Sequence, residues 1–137
     1  MSEENVAVIM AGLDALNVRD EKAIEALATD ELEWSPAVTA GGSLERKVYR
    51  GKRAMVEYWT DLDSEFDQTH FLVERIDPVG TDRVFYRGRV TARGKVSGVP
   101  LDIPVWGVWQ VRNGKLIRGT AFRTEAEALE AAGLSGD

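Results

Sequence analysis

Few side chains in this sequence are able to carry out acid–base or metal chemistry. His70 is the only histidine among 137 residues, and there is no cysteine. These counts exclude a multi-histidine metal site, a thiolate nucleophile and a cysteine-ligated metal. As a general base, His70 would need a carboxylate partner such as Asp67 or Glu74. We expect His70 to be a surface or strand-edge residue and keep it as a reserve catalytic candidate.

A row of cations between residues 83 and 95 is the most concentrated charge in the sequence. It comprises Arg83, Arg87, Arg89, Arg93 and Lys95, and it alternates with Val84, Tyr86 and Val90. Alternation of this kind predicts a strand whose charged face lies in water and whose apolar face is buried. An arginine that instead faced a cavity would favour a carboxylate, phosphate or enolate-like oxygen, through its paired donors.

The elements that position these residues begin with helices. Apolar residues at spacings of three and four predict helices over Glu3–Asn17, Glu21–Ala28 and about Lys52–Phe66. Asp20 is suited to cap the second helix. A short extended segment, Leu32–Val38, and a polar, glycine-containing loop, Thr39–Lys47, separate the second helix from the third.

Strands dominate the rest of the chain. They are predicted over about Thr69–Asp77, Arg83–Val96, Asp102–Val111 and Leu116–Phe122. A final short helix begins with a capping box of Thr124 and Glu127 and ends at Gly133. Helices followed by a meander of strands indicate an α+β fold.

The hairpin over residues 103–122 is the most informative segment. Asn113-Gly114 between two apolar runs predicts a type I′ turn, since both residues tolerate positive φ. The first strand is apolar on both faces, with Val105 and Trp109 on one and Trp106 and Val108 on the other. A sheet exposed on one face would alternate apolar with polar residues. We therefore expect a sheet covered twice, by the chain's own helices and by something else.

Composition indicates one domain over residues 1–137. The chain is 44% hydrophobic and 29% charged, and its net charge is −6, which argues against nonspecific nucleic-acid binding. No apolar run approaches the roughly 20 residues of a membrane-spanning helix. The first ten residues carry acidic side chains where a secretory signal would be basic. We expect a cytoplasmic protein with no membrane or nucleic-acid partner and no metal or cofactor.

The order of elements resembles the SnoaL-like branch of the nuclear-transport-factor-2-like superfamily, which includes the ketosteroid isomerases. The likeness extends over nearly the whole chain, and it is carried by Asn17-Val18-Arg19-Asp20, Tyr49-Arg50-Gly51, Ser97-Gly98, Val111-Arg112-Asn113-Gly114-Lys115 and the ending from Glu127 to Leu134. The resemblance implies an α+β cone: three helices packed in a strongly curved, mixed but mostly antiparallel sheet, with a short C-terminal helix. It also implies a homodimer through the outer sheet face, which would cover Trp106 and Val108.

The superfamily's known catalytic groups do not map onto this sequence. The ketosteroid-isomerase positions correspond here to Ser35, Gly12 and Gly107, none of which transfers protons. The epoxide-hydrolase positions correspond to Arg89, Thr91 and Ala121, so only the arginine is kept. Catalytic residues therefore stay unassigned, with His70, Arg89 and Asp102 in reserve. The family register predicts that part of the charged face of strand 83–96 lines the pocket. The alternation of charged and apolar residues predicts the opposite. Both can hold only if a bulge near Gly88 or Gly94 shifts the alternation.

The side chains left for the implied pocket are aromatic and cationic, as in many small-molecule sites. The candidate ligand-binding residues are Trp34, Tyr58, Trp59, Phe85, Arg89, Trp109 and Arg123. Gly107 and Gly119 would leave volume in the pocket. The alternative is that each ring simply belongs to the core.

Two hypotheses about function remain open. The first is a domain that binds a small, largely apolar molecule without established activity. The second is a cofactor-independent isomerase, cyclase or hydrolase that acts on a polyketide- or terpenoid-like compound. A non-catalytic dimerisation module is a further alternative. The absence of the usual acids favours binding.

Overall fold

Four helices pack against one six-stranded sheet. The computed structural model describes residues 2–37 and 47–133. The helices are α1 (Ser2–Val18), α2 (Glu21–Leu27), α3 (Ala54–Glu65) and α4 (Glu125–Ala132). The strands are β1 (Ala28–Ser35), β2 (Tyr49–Arg50), β3 (Phe66–Val79), β4 (Arg83–Gly94), β5 (Pro100–Arg112) and β6 (Lys115–Phe122). No helix in these ranges is long and apolar enough to cross a membrane.

The sheet is mixed and open, with the strand order β2-β1-β6-β5-β4-β3. Only β1 and β6 pair in parallel; the other neighbours are antiparallel. The predicted α+β class and order of elements are confirmed. The first strand begins at Ala28 rather than Leu32, and the two-residue β2 was not predicted. Val38 and the predicted loop up to residue 46 lie outside the described residues.

Register shifts curve the sheet. The pairing of β3 with β4 shifts between Asp67 and His70 and again between Val73 and Arg75. Each shift places an extra residue in β3, which bends that strand and increases its local twist. The second bulge lies opposite Gly88, where a Cβ atom would stand 2.1 Å from the Leu72 carbonyl oxygen. The family register required a bulge near Gly88 or Gly94 of strand 83–96, whereas the extra residues lie in the neighbouring β3.

The segment between α1 and α2 ties the helices to the sheet. The Asn17 side-chain amide donates to the Phe71 carbonyl at 2.9 Å and accepts from the Phe71 N–H at 2.8 Å. Arg19 donates to both carboxylate oxygens of Asp63, at 3.1 and 2.7 Å. These contacts hold the end of α1 against β3 and α3.

Local capping and turn predictions are confirmed. Asp20 accepts a hydrogen bond from the Ala23 N–H at the start of α2, and Thr124 accepts one from the Glu127 N–H at the start of α4. Gly133 ends α4 with φ of 77°. Asn113 and Gly114 have φ of 53° and 75°, as a type I′ turn requires.

The two faces of the sheet have different neighbours in the same chain. The inner face packs on α1, α2 and α3 around a core that includes Ile24, Leu32, Leu62 and Val84. The outer face packs on α4 through Phe85, Ala128 and Ala132, with Trp106 and Val108 half-buried at the margin. The second cover expected over the outer face is thus supplied in part by the chain itself.

Two glycines are expected to respond oppositely to alanine. In Gly12→Ala the new methyl group has no neighbour closer than 3.7 Å, and removal of a helix-interior glycine should stabilise the protein by about 0.5–1 kcal/mol. In Gly88→Ala the methyl group meets the Leu72 carbonyl, and we expect a loss of about 1–3 kcal/mol. Urea unfolding of both variants measures the two changes. Equal effects at both positions would contradict the packing described at the bulge.

Candidate functional site

A hollow, called the cavity below, lies between α1 and the inner face of the sheet. Its volume is about 70 Å³. Side chains and main chain of α1, β1, β3, β4, β5 and β6 form most of its wall. The lining residues include Ile9, Leu13, Leu16, Trp34, Met55, Tyr58, Phe71, Tyr86, Val90, Val105, Trp109, Leu116 and Ala121. Most of these are apolar or aromatic, so the hollow is suited to an apolar molecule.

Two stacked indoles form one wall of the cavity. The Trp34 and Trp109 rings lie 5.0 Å apart and within 4° of parallel. Both residues pair with Gly119, from strands on either side of β6. A Cβ atom on Gly119 would lie 2.5 Å from the Trp109 ring. The space over Gly119 is therefore occupied by an indole, and the expectation that this glycine leaves pocket volume is wrong.

Tyr86 occupies the space over the second glycine. A Cβ atom on Gly107 would lie 2.3–2.6 Å from the Cε1, Cζ and Oη atoms of Tyr86, which pairs with Gly107 across β4 and β5. The phenol end of Tyr86 therefore lies across Gly107 and beside the cavity. Burial raises the pKa of Tyr86 above its ordinary value.

Three of the predicted ligand-binding aromatics meet at the cavity, and two do not. Trp34, Tyr58 and Trp109 line it, and the Trp34 ring meets the Tyr58 ring edge-on at 5.6 Å. Trp59 is buried elsewhere in the core, with the Arg19 guanidinium 5.8 Å from its ring centre. Phe85 lies on the outer face against α4.

The predicted arginines do not present charge to the cavity. Arg123 is exposed. Arg89 borders the cavity, but its Nε donates to the Asp102 carboxylate at 2.7 Å. Val84 and Val90, on the alternate positions of β4, are buried. The alternation thus assigned the faces of this strand correctly, and the guanidinium of Arg89 lies on the outer face.

The reserve catalytic residues lie apart from the cavity. His70 is exposed near the start of β3, opposite Thr91. Asp102 is exposed and paired with Arg89. Within residues 2–37 and 47–133, no group of three or more histidine, aspartate or glutamate side chains is placed to hold a metal ion.

A polar cluster lies behind the aromatic wall. The Tyr49 hydroxyl donates to the Asp61 carboxylate at 2.5 Å, and the Lys47 ammonium donates to the same oxygen at 2.7 Å. The Tyr49 ring in turn meets the Tyr58 ring at 5.5 Å. The hydrogen bonds from Lys47 and Tyr49 lower the pKa of Asp61. Burial, with the hydrogen bond to Asp61, raises the pKa of Tyr49 to about 12.

The sequence analysis did not predict that Tyr86, whose side chain carries a hydroxyl, lines the cavity. Tyr86 lies on the apolar face of the alternating strand, and the sequence therefore suggests a core residue. A signal was nevertheless present, because Gly107 interrupts the apolar face of β5 at a position that pairs with Tyr86. A glycine opposite a large aromatic residue in a sheet is typical of a ring lying over the glycine.

Comparison with known proteins identifies the family to which this geometry belongs. Residues 10–119 match the family described as the SnoaL-like domain, and no curated protein matches the chain. Among solved structures, a protein of ketosteroid isomerase-like fold from Catenulispora acidiphila, in complex with trimethylamine, is 14% identical with a TM-score of 0.72, over 93% of this chain and 92% of that one.

Two further structures have named activities. A proposed SnoaL-like polyketide cyclase from Jannaschia is 18% identical with a TM-score of 0.72, over 99% of this chain and 94% of that one. An LEH-like epoxide hydrolase from M. tuberculosis is 17% identical with a TM-score of 0.68, over 96% and 90%. At these identities the likeness shows the fold alone.

All three tyrosines of the chain have a pKa above the ordinary value of 10.0. Because the folded pKa is raised, the stability that these phenols contribute is fully present below pH 10. It is lost as the pH rises towards 12 and beyond. We expect no tyrosinate absorbance from the folded protein near pH 10, whereas the protein in denaturant should titrate at about pH 10. A tyrosine that ionises near pH 10 while the fold persists would contradict this burial.

Proposed function

Because the chain belongs to the SnoaL-like domain family, we propose that it binds a small, largely apolar molecule in the cavity beneath α1. The observation that carries the proposal is the aromatic and aliphatic lining, with the Trp34–Trp109 stack on one side. Trp34, Tyr58 and Trp109 are the predicted ligand contacts that this lining supports. Phe85, Trp59 and Arg123 are not part of the proposed site.

The size of the cavity supports a compact ligand. Its volume of about 70 Å³ corresponds to about five buried waters, or to one small carbon ring. Sites for drug-sized molecules measure about 300–1,000 Å³. The related protein from Catenulispora acidiphila is in complex with trimethylamine, which is also compact. A ligand of this size is favoured over a polycyclic polyketide.

The alternative of an isomerase, cyclase or hydrolase has less support. These reactions need a group that accepts or donates a proton next to the substrate. No carboxylate or imidazole lines the cavity among the described residues, and His70 and Asp102 are exposed outside it. The Jannaschia and M. tuberculosis proteins share the fold with this chain. Binding without proton transfer is the function that this lining favours.

Filling the cavity tests the proposal. Ala121 is buried at the cavity wall, so Ala121→Leu adds three carbon atoms to this space. We expect the affinity for methylenecyclohexane, measured by ligand-observed NMR, to fall about tenfold or more, since about 1.4 kcal/mol of binding free energy is enough for that change.

The matched control is Ala11→Leu, which makes the same substitution at an exposed position of α1. It should leave the affinity for methylenecyclohexane unchanged. Thermal unfolding of both variants verifies that each is folded. Equal affinities in the wild type and in folded Ala121→Leu would rule out binding in this cavity.

We also propose that the chain forms a homodimer through the outer face of the sheet. Trp106 and Val108 remain only half-buried beside α4. A second copy over this face would bury the remaining apolar area of both side chains.

Sedimentation velocity tests the homodimer. Trp106→Glu places a charge in the proposed interface and should convert a dimer to a monomer at micromolar concentration. Lys22→Glu reverses an exposed charge on α2, which packs on the inner face of the sheet, and this control should leave the dimer intact. A monomeric wild-type protein at high concentration would refute this interface while leaving the cavity proposal intact.

A further inference from the structure

We infer that the Tyr86 hydroxyl is the polar anchor of the cavity, and that it donates a hydrogen bond to one acceptor oxygen of an uncharged, otherwise apolar ligand. The inference deepens the proposed function and rests on it. It assigns a ligand class, namely compact neutral ketones and related molecules with one acceptor. It also assigns a specificity-determining residue that lies outside the candidate ligand contacts predicted from the sequence and outside the family's catalytic positions.

The position of the hydroxyl is set by the sheet. Tyr86 lies in β4 opposite Gly107, and Gly107 pairs on its other side with Ala121. The Oη atom of Tyr86 would stand 2.6 Å from a Cβ atom on Gly107. The ring therefore reaches from β4 across β5, towards Ala121. Tyr86 and Ala121 both line the cavity, so the phenol oxygen lies at its wall.

The Tyr86 hydroxyl has no competing partner in the part of the chain that the structure describes. Burial is the only cause that raises the pKa of Tyr86, and none of the hydrogen bonds among the described residues involves its side chain. The other two tyrosines differ, because Tyr49 is bonded to Asp61 and Tyr58 has an interaction of its own. The Tyr86 hydroxyl is not one of the fully enclosed unpaired atoms of the described residues, and its residue is only partly buried. The oxygen therefore keeps accessible surface, which we assign to the cavity, where a ligand acceptor would bond to it.

The protonation state decides what the hydroxyl offers. With a pKa above the ordinary tyrosine value, Tyr86 stays a neutral phenol throughout the physiological pH range. It therefore donates a hydrogen bond and does not act as an anionic base. A carbonyl, ether or epoxide oxygen is the complementary acceptor.

The charges around the cavity select a neutral ligand. Among the described lining residues, Arg89 is the one with a charged side chain. Its guanidinium is paired with Asp102 on the outer face of the sheet. A carboxylate or ammonium ligand would lose its hydration without gaining a counterion, which strongly disfavours binding. A ketone loses far less hydration and recovers its hydrogen bond at Tyr86.

Cyclohexanone and methylenecyclohexane form a matched pair of probes, because they share a ring and differ in the acceptor oxygen. Tyr86→Phe should weaken cyclohexanone binding about tenfold, which corresponds to loss of one buried hydrogen bond. Its affinity for methylenecyclohexane should stay within about twofold, since the ring and its packing remain. Tyr49→Phe removes the same atom outside the cavity lining and should leave the affinity for both probes unchanged.

The outcomes separate the two proposals. If wild-type protein binds neither probe, the proposed function fails and the inference fails with it. If both probes bind and Tyr86→Phe weakens both equally or neither, the proposed function stands and the anchor is refuted. A measurement on the wild type does not depend on the variant's stability: the carbonyl stretch of bound cyclohexanone should shift to lower frequency than in hexane. An unshifted stretch would overturn the inference.

Discussion

Aromatic rings that lie flat over glycines of the neighbouring strand are the interaction on which the rest of this structure depends. The Trp109 indole lies over Gly119 and the Tyr86 phenol over Gly107, at separations that no side chain on either glycine would permit. This arrangement keeps large rings close to the sheet wall. Space consequently remains between the sheet and α1, where upright rings would otherwise reach the helix.

The curvature of the sheet also helps to form the cavity. The two bulges of β3 bend it around the helices, and the second one is possible because Gly88 admits the Leu72 carbonyl. A flat sheet would pack directly on α1 and leave no hollow. The outer face, meanwhile, carries α4 over Phe85. A single short helix leaves Trp106 partly uncovered, which is the physical basis for the proposed second copy.

The chemistry available in the cavity follows from what surrounds it. Charged groups of β4 and β5 neutralise one another on the outer face, as Arg89 and Asp102 do, so the inner wall stays free of ionised side chains among the described lining residues. The proposed function fits this environment, because packing and one hydrogen bond are enough to hold a neutral molecule. Acid–base catalysis would also need a group that transfers a proton to or from the substrate.

Local patterns in the sequence determined the elements: the Asn113-Gly114 turn, the caps at Asp20 and Thr124, and the alternation that assigned the faces of β4. Each depends on neighbours along the chain or on strand periodicity, which the sequence displays directly. Only the tertiary structure decided which residues share the cavity. The composition of the cavity depends on strand register, bulges and ring orientation, which involve strands distant in sequence. These features place Phe85 on the opposite face of the sheet from Trp109, and Tyr86 at the cavity wall.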